Sequence, residues 1–141
     1  LASLPHMPKR YFIDSKSECA KAQAMSDRLR VKAPSIETRI VNLSGGNQQK
    51  VVLGKWLLEE PRILLIDEPT KGIDVGAKAE IYTIMSELTN AGISIIMVSS
   101  DMPELVSMSD RCIVLSNGRL TGEFEGEQIT QANVMRAAIA Q

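Results

Sequence analysis

The chain has 141 residues, the size of one ordinary domain, and its 44% apolar content supports a packed core and excludes global disorder. Sixteen basic residues stand against 17 acidic ones, a net charge of −1, so the basic excess of a nucleic-acid binder is missing. No apolar run approaches the roughly 20 residues that a membrane-spanning helix needs.

The opening LASLPHMPKR lacks the basic-then-apolar order of a signal peptide and, with Pro5 and Pro8, reads as irregular. His6 is the only histidine; it reads as a surface residue of a loose terminus, and a lone histidine excludes a His-rich metal site. Residues 15–30 place Ala22, Met25 and Leu29 at helical spacing, with Ser15 as a cap and Pro34 as the stop. Residues 36–41 are a connector to the glycine pair of LSGGNQQK, residues 43–50. A strong helix pattern follows, with an apolar face of Val51, Val52, Leu53, Trp56, Leu57 and Leu58, ended by Pro61.

RILLID then reads as a short strand buried on both faces. The next helix lines up Ala77, Ile81, Ile84, Met85 and Leu88, with Asp74 as its cap and Gly92 as its breaker. ISIIMV is a second continuous apolar strand. MPELVSMS is a short helix with Pro103 near its start. RCIVLS, the turn Asn117-Gly118 and RLTGEF form a hairpin that adds antiparallel edge strands, and residues 130–140 make a last helix. Apolar strands alternating with amphipathic helices predict an α/β fold with parallel strands covered by helices. Cys19 and Cys112 lack zinc-site spacing and read as free, buried thiols in a reducing compartment.

Two motifs carry chemistry. ILLIDEP delivers two adjacent acids at the C-terminal end of a strand, where open α/β sheets bind ligands. In a nucleotide-hydrolysing site Asp67 would hold Mg²⁺ through water and Glu68 would polarise the attacking water. A helix cap beside a solvated acid is the bland alternative. LSGGNQQK puts Ser44 and two glycines at a helix start, where free N–H groups favour an anion; an ordinary capped helix is again the alternative. Lys50 is followed by Val51, so it is not the lysine of a phosphate loop. GIDVGAK, residues 72–78, fails that spacing as well.

Together, LSGG upstream of ILLIDEP and TKGID directly after it resemble an ABC-type ATPase cassette. LSGGNQQK, DEPTKGIDVGAK, EIYTIMSEL, IIMVSSDMPELVSMSDR and VLSNGRLTGEF resemble the second cassette of the ATPases of bacterial ribose, galactose and xylose importers, over roughly residues 10–140. The resemblance implies a partial P-loop NTPase core. Residues 1–60 would be part of the helical subdomain with the signature helix, and residues 61–141 the C-terminal half of the ATPase core.

It further implies that paired cassettes sandwich ATP head to tail. Ser44, Gly45, Gly46, Asn47 and Gln48 would meet the γ-phosphate of an ATP held by another cassette, while Asp67 and Glu68 serve their own. Asp74 matches the loop that links the sites. ATP and Mg²⁺ are the implied cofactors. The implied partners are a second cassette, membrane permease subunits and, indirectly, a sugar-binding protein; no nucleic acid is implied, and the implied place of this chain is peripheral, at the cytoplasmic side of the membrane.

Two departures stand out. Asn47 occupies a place commonly held by Gln, and Ser100 stands where most cassettes have a histidine near the γ-phosphate. A serine cannot carry that positive charge, so the site containing Glu68 is expected to be weak. No G-x-x-x-x-G-K-[ST] occurs in residues 1–141. The chain is therefore expected to be a fragment that does not hydrolyse ATP by itself and that exposes apolar sheet surface, favouring self-association. A non-catalytic remnant acting by partner binding and a soluble ABC ATPase of DNA repair or translation are the competing readings.

Overall fold

The computed structural model describes residues 15–139; His6 and the irregular opening lie outside the described residues. Five helices are formed: α1 Ser15–Arg28, α2 Gly45–Leu57, α3 Val75–Asn90, α4 Met102–Met108 and α5 Gln131–Ala138. Four strands accompany them: β1 Ile63–Asp67, β2 Ser94–Val98, β3 Arg111–Ser116 and β4 Arg119–Glu125, with single 3₁₀ turns at Ile40–Asn42 and Gly126–Gln128. The described residues fall into two compact units that divide between Met97 and Val98.

The first unit holds α1, α2, β1, α3 and most of β2. β1 pairs with β2. The Ser94 N–H at the start of β2 donates to the Arg62 carbonyl just before β1 at 2.9 Å. Start therefore meets start, and the pair is parallel with α3 as its crossover. Leu64 and Ile66 of β1 are buried, as are Ile81, Ile84, Met85 and Leu88 of α3. Each such side chain contributes about 1.5–3 kcal/mol relative to exposure. Asp74 caps α3 as its sequence predicts, its side chain accepting from the Ala77 N–H at 2.9 Å. Gly92 follows at φ +90°, a left-handed turn that suits glycine.

Several expectations need correction here. The strands are buried on one face only: β1 alternates, leaving Ile63 and Leu65 exposed, and Ile96 of β2 is exposed too. Among the described residues this sheet has two strands, and its face away from the buried residues is uncovered. The stripe of α2 is also not the one its apolar residues suggest. Gly46, Lys50, Leu53, Gly54 and Leu57 are buried, while Val51, Val52 and Trp56 are exposed. α1 lies so close to α2 that a Cβ at Gly54 would meet Leu29 and Met25 at 3.0 Å. Helix ends come before the prolines: α1 stops with Arg30 at φ +53°, and α2 stops with Glu60 at φ +50°. Cys19 is exposed on α1 rather than buried.

The second unit is the hairpin with α4 and α5. Asn117 and Gly118 both take positive φ, the geometry of the tight hairpin turn that an Asn-Gly pair predicts. The hairpin does not extend the β1–β2 sheet as expected; it is a sheet of its own. Cys112, Val114, Ile129, Val134 and Ala137 form its core, with Met102 and Phe124 packed against them. Burial pushes the Cys112 thiol up, away from its reactive thiolate. α5 is capped by Thr130, which accepts from the Asn133 N–H at 3.2 Å.

Candidate functional site

The glycine pair begins α2, and its surroundings explain why glycine is needed. A Cβ on Gly46 would stand 2.5 Å from the Ala77 Cβ, closer than any packed pair allows. A Cβ on Gly45 would meet the Ile73 side chain at 3.2 Å and lie 3.8 Å from the Gly72 carbonyl oxygen. The start of α2 is thus seated against the turn 72–74 and the first turn of α3. The structure brings together two motifs that sequence placed apart: the LSGG segment and the loop ending in Asp74.

Ser44 occupies the N-cap position of α2, yet its side chain makes no cap hydrogen bond. Its Oγ instead accepts from the Asn47 Nδ2 at 2.8 Å. Asn47 is held in turn by the Lys32 backbone N–H, which donates to its Oδ1 at 2.8 Å. Gln48 turns the other way, its Nε2 donating to the Leu43 carbonyl at 2.8 Å. The side chains of this segment fix one another. They leave the serine hydroxyl proton, and the amides it would otherwise cap, available to an anion.

Asp67 ends β1 and is exposed. Glu68 follows at φ +50°, a left-handed conformation that is uncommon for a residue with a long side chain. The next two residues, Pro69 and Thr70, are fully buried. The Lys71 N–H donates to the Glu68 carbonyl at 3.3 Å, closing a turn that leads through Gly72 at φ +75° to Asp74. Left-handed backbone at a strand end is where functional acids are often found. Ser44, Gly45, Gly46, Asn47, Gln48, Asp67, Glu68 and Asp74 all belong to the first unit. Ser100 lies in the second unit, exposed between β2 and α4.

Sequence reading missed Lys50. Its side chain is 2% exposed, and its Nζ donates to the Glu80 carboxylate at 2.7 Å and to the Arg30 carbonyl at 3.0 Å. The other Glu80 oxygen accepts from the Lys32 Nζ at 3.2 Å. Arg30 adds an exposed pair with Glu87 at 2.8 Å. Hydrogen bonding to Lys50, then to Lys32, holds the Glu80 carboxyl below its ordinary range. A signal was present: Lys50 falls on the same helical stripe as Gly46, Leu53, Gly54 and Leu57, where a charge needs a partner.

No cluster of three or more metal-ligating side chains occurs among the described residues. The carboxylates suit a Mg²⁺ that takes most of its ligands from water and phosphate. The glycine pair and the free serine proton suit one terminal phosphate. Each set taken by itself has a chemistry that suits Mg²⁺ or phosphate.

A family model described as ABC transporter matches residues 4–71. The chain is 50% identical, over 98% of its length, to the xylose import ATP-binding protein XylG of Geobacillus kaustophilus, covering 27% of that protein. It is 52% identical over 92% of its length to a putative ribose/galactose/methyl galactoside import ATP-binding protein of Rhizobium meliloti, covering 25% of it. Against the ribose import ATP-binding protein RbsA of Rhodopirellula baltica the identity is 48% over 99% of the chain and 27% of the relative. The chain thus spans about a quarter of the length of these curated relatives. Among solved structures, an ATP-binding cassette of an ABC transporter superposes with TM-score 0.78 at 24% identity, covering 99% of this chain and 56% of that one. An inward-facing, putative metal-chelate type ABC transporter gives 0.82 at 17% identity, covering 97% and 54%. At these identities the structural likeness carries the fold.

Proposed function

We propose, from the premise that this chain belongs to the ATP-binding cassettes of ABC transporters, that it is part of the ATP-hydrolysing subunit of a bacterial sugar importer. In this reading it is the C-terminal part of a second cassette. Residues 1–60 contribute to the helical subdomain and residues 61–141 to the ATPase core. The observation that carries the reading is the seating of Gly45 and Gly46 against the Asp74 turn, with Asp67 and Glu68 in the same unit.

Each residue then has a role. Ser44 donates its hydroxyl proton, and the amides of Gly45 and Gly46 donate beside it, to the γ-phosphate of an ATP held by a partner cassette. Gln48 holds the Leu43 carbonyl and so fixes the entry to that segment. Asp67 would hold Mg²⁺ through water, and Glu68 would polarise the attacking water for its own cassette's ATP. Mg²⁺, when bound, neutralises charge on the phosphates. Asp74 holds the start of α3 beside the glycine pair, linking the two sites. Ser100 can offer a hydroxyl but no positive charge to a phosphate.

The chain would sit at the cytoplasmic face of the membrane against permease subunits, coupled through them to a sugar-binding protein. None of the described helices is long and apolar enough to cross a bilayer. Residues 1–141 carry no G-x-x-x-x-G-K-[ST], so in this reading the phosphate loop lies outside these residues.

The test is a titration of the chain with a fluorescent ATP analogue, with and without Mg²⁺, followed by capture on a complete sugar-import cassette whose catalytic glutamate is replaced by Gln. The expected result is no saturable nucleotide binding by the chain alone up to millimolar concentration, and ATP-dependent capture by the cassette. Mg²⁺-dependent binding by the chain alone, lost in Asp67→Ala, would overturn the need for an external phosphate loop. Capture that ignores ATP would overturn the assignment of Ser44, Gly45 and Gly46.

A further inference from the structure

The Asn47 side chain lies between two fixed groups. Its Oδ1 accepts from the Lys32 backbone N–H, and its Nδ2 donates to the Ser44 Oγ, both at 2.8 Å. The first bond decides the second. An amide whose oxygen faces an N–H must turn its NH₂ the other way, toward Ser44. A serine oxygen that accepts at one side directs its own proton elsewhere. At this N-cap the proton is not spent on the helix, because the helix amides are donors themselves and Ser44 makes no cap bond.

Lys32 is paired at the end of its side chain as well. Its Nζ is tied to Glu80 Oε1, whose other oxygen receives the buried Lys50 of α2. The Arg30 carbonyl receives the same lysine. The segment 30–32 is therefore clamped to α2 and α3 at the point where it presents its N–H to Asn47.

We infer that Asn47 is a positioning residue rather than a phosphate ligand: it turns the Ser44 hydroxyl proton outward, toward the anion, and is itself oriented by the clamped Lys32 amide. The inference rests on the proposed reading of Ser44 as a donor to a partner's γ-phosphate. It also explains why Asn serves at this place. Its short side chain spans the gap between the Lys32 amide and Ser44 within a single helical turn.

The test uses the protein at its native length and the ATP-loaded, hydrolysis-blocked cassette as probe, with affinity read from ATP-dependent association. Ser44→Ala and Asn47→Ala should each weaken association about tenfold, the loss of one charge-assisted hydrogen bond. The double variant should be no weaker than Ser44→Ala alone, because Asn47 acts only through Ser44. Thermal unfolding of each variant is measured alongside, since a merely structural role would lower stability without that non-additivity. Asn47→Asp should associate more weakly than Asn47→Ala, because a carboxylate accepts the serine proton and turns it inward. Losses that multiply in the double variant would overturn the inference and make Asn47 an independent contact. Unchanged association in Ser44→Ala would overturn the underlying reading, and this inference with it.

Discussion

Glu68, a catalytic candidate by sequence, is held in a left-handed backbone conformation at φ +50°. For an L-residue that conformation costs about 1–2 kcal/mol, and glycine is spared most of it. Comparing Glu68→Gly with Glu68→Ala removes the carboxylate from both and isolates the backbone. The glycine variant should be the more stable of the two by about 1 kcal/mol in urea unfolding, and neither should support hydrolysis in a complete cassette. Glu80 gives a second prediction. Its carboxyl is held below its ordinary value of 4.5 by Lys50 first and Lys32 second. A depressed carboxyl contributes stability that is fully present above the unfolded value and is lost as pH falls through the folded one. Thermal unfolding should therefore fall more steeply below pH 4.5 in the unaltered chain than in Glu80→Gln, which should already be less stable at neutral pH. Asp74 was readable from sequence because capping is local: the side chain and its amide partner sit within one turn. The pairing of Lys50 and the left-handed backbone of Glu68 were not. The lysine's partners lie 20 and 30 residues away. The backbone of Glu68 is set by the buried Pro69-Thr70 turn rather than by its own preference.

At the level of elements, α2 and α3 meet where neither has a side chain to spare. Gly46→Ala would press a methyl group to within 2.5 Å of the Ala77 Cβ. Overpacking of this kind costs about 1–3 kcal/mol, and it would also push the glycine segment off the Asp74 turn. The expected result is a lower unfolding midpoint and loss of ATP-dependent capture, both substantially restored in Gly46→Ala/Ala77→Gly. Failure of the second change to restore either would mean that the crowding at Gly46 is not what fixes the two helices. Helix and hairpin positions followed from apolar period and from Asn117-Gly118, signals contained within a few residues. The faces did not follow so well. The apolar run of α2 suggested Val51, Val52 and Trp56 as core, but burial went to Lys50 and Gly54, because α1 and α3 approach closely only where α2 is small or can pair a charge.

Across the whole chain, the two strands of the first unit present Ile63, Leu65 and Ile96 to solvent, with Leu65 76% exposed. A continuous apolar run in sequence announces burial on both sides, and here only one side is filled. In isolation the chain should self-associate, with light scattering that grows with concentration, and Leu65→Glu should reduce that growth. A mass independent of concentration would argue that this face is closed by the chain itself. The cysteines turn the structure into its own reporter. Cys19 is open on α1, whereas Cys112 is sealed in the hairpin core with its thiol held protonated. A maleimide dye at neutral pH would mark the first unit at one position within minutes, and the second label would appear only at the rate at which the hairpin unit opens, so one reagent times the breathing of one unit while it tags the other.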